Sequence, residues 1–235
     1  MQKIFITIAL TFTLISSGLI VTAQNVLLQE EVNLNDPKPR YGQNLAIYRH
    51  FYFDFEFPVY ENSHINKIEY GTSFNYTLGL RNKFKLSKHD DVGFEVYFMK
   101  NRFSMDKSIF QIMDAYPVDK MLYKLNSFGI SAFNRINFGK RGNMIKGYMD
   151  IGAYGGIFVR KRSVLEYKDS QEQKVQIVTS KLKNVNDFNY GALVRFGWKS
   201  YALKATYRLS DYRKDAGFFE FPRLSIGAEI GILTK

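Results

Sequence analysis

From Lys146 to Arg160 the chain reads Lys-Gly-Tyr-Met-Asp-Ile-Gly-Ala-Tyr-Gly-Gly-Ile-Phe-Val-Arg, with apolar side chains at Met149, Ile151, Ala153, Ile157 and Val159 and with Lys146, Asp150 and Arg160 among the intervening residues. A period of two places the two sets on opposite faces of a β-strand. The same rhythm returns in about eight segments. No run after the N-terminal segment is long and apolar enough to cross a bilayer as a helix. The pattern predicts an all-β fold, an eight-stranded antiparallel transmembrane β-barrel with short periplasmic turns and longer extracellular loops.

The first segment reads as an address. Met1-Gln2-Lys3 is a positive start, Ile4 to Val21 is apolar, and Val21-Thr22-Ala23 offers small residues before Gln24, so residues 1–23 are expected to be a signal peptide. Residues 24–43, with Glu30, Glu31, Asp36, Pro37, Lys38 and Pro39 and no periodicity, are expected to be a flexible periplasmic lead-in, and residues 44–235 the barrel. Cysteine is absent, which excludes disulfides, thiolate metal sites and a cysteine-linked lipid anchor.

Alternating segments are expected at about Leu45–Val59, Ile68–Leu86, Val92–Phe98, Ser127–Phe138, Lys146–Arg160, Phe188–Trp198, Tyr201–Ser210 and from Leu224 onward. Lys88-His89-Asp90-Asp91, Lys140-Arg141-Gly142-Asn143 and Lys199-Ser200 make short turns, and the other connections are long and polar. The apolar phase carries few polar residues, chiefly Thr72, Asn82 and Asn134. Phe84, Phe94, Phe138, Phe196, Trp198 and Tyr201 fall near one set of strand ends, where an interfacial aromatic belt belongs.

The opposite phase holds Asp54, Glu56, Arg81, Glu95, Arg135, Lys146, Asp150, Arg195, Lys204, Arg208 and Glu229. A one-residue slip would turn several of these toward lipid, at about 2–4 kcal/mol for each midplane Arg or Lys. A soluble barrel with its apolar face inward is the rival architecture. Ion pairs and glycines sharing one phase favour a narrow charged lumen instead. Eight strands enclose little more than their own side chains, so this set is expected to form a salt-bridged structural plug.

The net charge of +11 is spread along the chain, which argues against nucleic acid and leaves two readings, cations paired with envelope polyanions, the outer-membrane lipids and lipopolysaccharide phosphates, or cations simply solvated. His50, His64 and His89 are the available histidines for lipid-modifying catalysis, but His50 faces inward without an identifiable serine partner, His64 lies in a loop between Ser63 and Ile65, and His89 falls in a periplasmic turn. No metal-ligand spacing or nucleotide fingerprint is present, so neither cofactor nor metal is expected. Residues 161–185 read as a long polar loop suited to a protein partner. The stretch with Ile109, Phe110, Ile112, Met113 and Met121 is less polar and suited to covering the barrel mouth.

Asp187-Phe188-Asn189-Tyr190-Gly191, Arg195-Phe196-Gly197, Tyr207-Arg208-Leu209-Ser210-Asp211 and Phe221-Pro222-Arg223-Leu224-Ser225-Ile226-Gly227 together resemble the PorT-like outer-membrane β-barrel proteins of Bacteroidota. Asp150-Ile151-Gly152-Ala153-Tyr154-Gly155 and the Ala23-Gln24 junction are similar too. The resemblance covers the last hundred or so residues. It implies outer-membrane localisation in a Gram-negative envelope and a structural or partner-binding role, with accessory service to a type IX-like secretion system as the alternative. It supplies no catalytic residues.

Overall fold

The computed structural model describes residues 40–59, 68–105, 118–139, 142, 144–168, 171–214 and 220–233. The expected signal peptide, most of the lead-in, His64, and the stretch from Ile109 to Met113 lie outside them. Nine strands follow in order: β1 Ile47–Pro58, β2 Phe74–Lys85, β3 Asp90–Met105, β4 Val118–Asn137, β5 Gly147–Lys168, β6 Lys174–Ser180, β7 Phe188–Trp198, β8 Tyr201–Arg208 and β9 Leu224–Ile232. All neighbouring pairs are antiparallel.

Eight of these strands close a ring, because β9 returns to pair with β1 and β4 pairs with β5, which pairs in turn with β7. Closure leaves no sheet edge within the ring. The short connections, including Lys199-Ser200 between Trp198 and Tyr201, gather at one rim together with Arg40–Leu45 and Leu233. We call this the lower rim. Lys199 takes φ 55°, and this left-handed residue lets β7 reverse into β8 almost at once.

The side chains sort as the register argument requires. Arg81, Arg135 and Arg195 are at most 1% exposed, while Phe51, Leu78, Phe94, Ile130, Ile151, Phe196, Leu203 and Ile230 stand on the outer wall. An inward apolar core with an outward ionic face is therefore excluded. Arg49 is a charged exception on that wall, and its Nε donates to Asn82 Oδ1 at 2.6 Å. This contact explains why Asn82 interrupts the apolar phase. The lower-rim aromatics Phe138, Phe196, Trp198 and Tyr201 are all at least half exposed, and Phe84 stacks on Phe94 at 6.0 Å.

Three expectations are corrected. Residues 161–185 are not a plain loop: β5 runs on to Lys168 and turns into β6, which among the described residues pairs with Arg162–Lys168 alone. Val164, Leu165, Val175, Ile177 and Val178 carry that hairpin, and the many charges around them mask their β-propensity in the sequence. Arg160 does not face inward either. A register shift opposite Asn126 and Ser127 inserts Val159 as a bulge, so Arg160 pairs with Asn126 and Arg162 with Lys124 in the outward phase. Lys146 also stands half-exposed at the lower rim, outside the buried lumen.

Inward aromatic rings lean across neighbouring glycines. Tyr52 sits opposite Gly79, where an added Cβ would lie 2.5 Å from the ring, and Tyr148 covers Gly197 in the same way. Gly79→Val is expected to cost about 1–3 kcal/mol through overpacking. The measurement is the urea midpoint of the heat-modifiable folded band in detergent gels.

Candidate functional site

Three layers fill the barrel. At the lower rim Tyr48, Ile145, Tyr148 and Ala202 form a buried cluster with Leu233 against it. Asn44 Nδ2 donates to the Gly142 carbonyl, and Gln43 Oε1 accepts from the Ile145 amide at 3.3 Å, so the segment before β1 is tied across this end. The expected flexible lead-in is thus fixed in place over its last residues, 40–43.

The middle layer is ionic. Asp150 takes Arg135 Nε at 2.6 Å and Arg195 Nη1 at 2.7 Å. Arg195 continues to Glu95 at 2.9 Å and Glu229 at 3.0 Å, and Arg81 bridges the same two carboxylates at 2.6 and 2.7 Å. Three guanidinium groups and three carboxylates thus cancel in one connected network. Ser131 Oγ and Tyr52 Oη also donate to Glu95 Oε2, at 2.7 and 3.1 Å. The Phe133 ring lies 5.6–5.7 Å from all three guanidinium carbons. Arg135 stacks on Tyr148 at 3.7 Å.

Lys204 forms a second group with Asp54 at 2.5 Å and Glu56 at 3.1 Å, and Thr206 Oγ1 donates to Glu56 at 2.8 Å. Lys83 pairs with Asp91 at 3.3 Å nearer the lower rim. The space left between these groups, lined by residues including Tyr52, Tyr97, Tyr154 and Lys204, is only about 10 Å³. That is room for one water at most.

Arg208 departs from the expected lumenal network. It is buried, but it pairs with Glu220 at 2.9 Å, donates to the carbonyls of Ser210, Phe221 and Pro222, and stacks on Tyr212 at 3.8 Å. Its position at the end of β8 puts it above the carboxylates, where it draws the β8–β9 connection inward. Phe221 and Tyr212 then join Phe103, Tyr123, Leu125 and Phe158 in an apolar cluster that closes the upper mouth. Met121, one of the residues read as mouth-covering, packs against this cluster.

The sequence reading did not find Phe133, the Lys83–Asp91 pair, Glu220 or the upper cluster. The signal for Phe133 lies in its cross-strand partners, Gly93 and Gly152, which only the register reveals. Of the histidines, His50 is buried and stacked on Tyr48 at 5.1 Å, with its Nδ1 lacking a hydrogen-bond partner. His89 Nδ1 lies 3.4 Å from the Asn137 carbonyl in the lower turn. Among the described residues no cluster of His, Asp or Glu is arranged to hold a metal.

A second site lies outside the lumen, at the fork where β5 leaves β7 for β6. A cleft of about 610 Å³ is lined there by Arg160, Lys161, Arg162, Lys181, Lys183 and Lys214, with Asp187 the one carboxylate among the described residues of its wall. Lys161 Nζ holds Asp187 at 2.6 Å and the Val185 carbonyl at 2.9 Å. That hydrogen bond, helped by the charges of Lys161 and Lys214, holds the Asp187 carboxyl below the usual carboxylate range.

No family model matches the chain, and no curated protein matches it. Among solved structures it is similar to Ail, the attachment invasion locus protein of Yersinia pestis, crystallised with the heparin analogue sucrose octasulfate. The identity is 10%, the TM-score 0.32, and the match covers 78% of this chain and 94% of that one. The architecture described above rests on the chain's own strand register.

Removing Arg195 leaves two guanidinium groups against three buried carboxylates, so Arg195→Leu is expected to destabilise the fold by about 3–5 kcal/mol. Tyr97→Phe deletes a buried hydroxyl that makes no hydrogen bond and should change stability by less than about 1 kcal/mol. Urea titrations of both variants in the same detergent give the comparison.

Proposed function

We propose that the protein is an outer-membrane β-barrel with a sealed lumen, a structural or partner-binding component of a Gram-negative cell envelope. The lower rim and both ends of the described chain face the periplasm, and the β5–β6 hairpin stands outside. The observation that carries this reading is the inversion of the wall, apolar outward and ionic inward. In water such a belt far exceeds the few hundred Å² of contiguous apolar surface that soluble monomers carry. In a bilayer the same belt is required.

The dimensions agree. The nine residues of β9 rise about 27 Å along the strand, or roughly 20 Å along the axis at a tilt near 40°, close to the apolar band of such barrels. Cations on the wall are few: Arg49 stands near the lower rim, and Lys100 and Arg102, toward the upper end of β3, lie over the rings of Tyr76 and Phe74 at 5.3 Å. Outer-membrane lipid is therefore the immediate partner.

A protein partner fits the hairpin. Among the described residues β6 pairs only with β5, leaving its other edge to accept a strand, and both of its faces are exposed. A non-enzymatic role fits the lumen, whose charged groups are consumed in pairing with one another.

Reconstituted into planar bilayers, the protein is expected to show no discrete conductance steps, because the lumen is filled and both mouths are covered. Steps of constant amplitude would overturn the sealed lumen. A folded mature protein that stays in solution without detergent would overturn the membrane assignment.

A further inference from the structure

The fork cleft has three properties that belong together. It is strongly cationic: Arg160, Arg162, Lys181, Lys183 and Lys214 line it, and Asp187, the one carboxylate among its described lining residues, is already held by Lys161. It opens at the upper edge of the apolar wall, since Phe158 and Asp187 on its lining are the chain neighbours of Ile157 and Phe188, which pair across β5 and β7 and are 50% and 67% exposed. And it is built by a backbone device, because the Val159 bulge is what turns Arg160 and Arg162 outward. The basic surface continues along the wall through Lys124, paired with both Arg102 and Arg162.

A soluble polyanion needs the charge but not the apolar floor. A membrane lipid with a single weak charge needs the floor but not five cations. Both features are matched by a lipid whose headgroup carries more than one phosphate. We propose that the cleft binds the phosphate groups of a phosphorylated glycolipid of the lipid A type in the outer leaflet, with acyl chains lying down the wall on Ile157, Phe188 and Tyr190. The arginines fork onto phosphate oxygens, and the lysines add point charges around them. This inference rests on the membrane orientation proposed above.

The test uses the full mature chain in phosphatidylethanolamine nanodiscs with and without bisphosphorylated lipid A, and native mass spectrometry counts the bound glycolipid. Insertion is scored separately by heat-modifiable gel mobility, so failure to insert refutes the membrane reading while normal insertion without lipid retention refutes only the cleft. The variant R160Q/R162Q/K181Q/K183Q is expected to weaken lipid A binding by roughly 100-fold, and the hairpin-tip control K168Q/K174Q to stay within about twofold. Wild-type binding should fall with added salt and with monophosphorylated lipid A.

Unchanged binding by the four-site variant would overturn the proposal. So would equal affinity for inositol hexakisphosphate free in solution, which would make the ligand a soluble polyanion. If the four-site variant fails to fold, the salt and monophosphoryl series on the wild type decides: indifference to both sinks the site.

Discussion

Asp150 is shared by Arg135 and Arg195, and that bifurcation organises the interior. A charge at 0–1% exposure is tolerable only when an opposite charge lies against it, so the strands that supply these groups must hold one register. Asp150 faces Arg135 on one side and Arg195 on the other across hydrogen-bonded strand pairs, and Arg81 faces Glu95 in the same manner. Links such as Arg81–Glu229 and Arg195–Glu95 then cross the lumen. Cross-strand pairs define the wall locally, while the cross-lumen pairs favour the closed ring over an open sheet.

The aromatic residues of the inward phase complete what the charges begin. Rings at Tyr52, Phe133 and Tyr148 lie against guanidinium planes and cover glycines on the next strand, so an interior made of long ionic side chains still packs with scarcely a void. Above and below, Phe221 and Tyr48 belong to apolar clusters that keep water from the pairs. Dry surroundings strengthen each pair and make a missing partner costly.

Much of this architecture is legible in the bare chain because its two solvents differ so sharply. Alternation in Met149-Asp150-Ile151 or Ala228-Glu229-Ile230 reports directly on an apolar outside and a polar inside. Asp54, Glu56, Arg81, Glu95, Arg135, Asp150, Arg195, Lys204 and Glu229 all lie in the buried phase, and the structure joins them in two groups. Arg208 shares that phase, but phase says nothing about height along the barrel, and at the upper end its neighbours are loop carbonyls. The bulge at Val159 was invisible for a related reason: a single inserted residue leaves composition and periodicity nearly unchanged while exchanging the faces beyond it. The hairpin was hidden because exposed on both faces, β6 needs no alternation at all.

β5 changes partners on one side, from β7 to β6, yet stays bonded to β4 almost throughout its 22 residues. The protruding part is therefore a cantilever clamped into the wall and not a tethered arm. The seven residues from Arg162 to Lys168 reach about 20 Å beyond the fork. Whatever pairs with β6 is held at a set standoff and azimuth, and a sideways pull on it is borne by the ladder of the barrel rather than absorbed by slack.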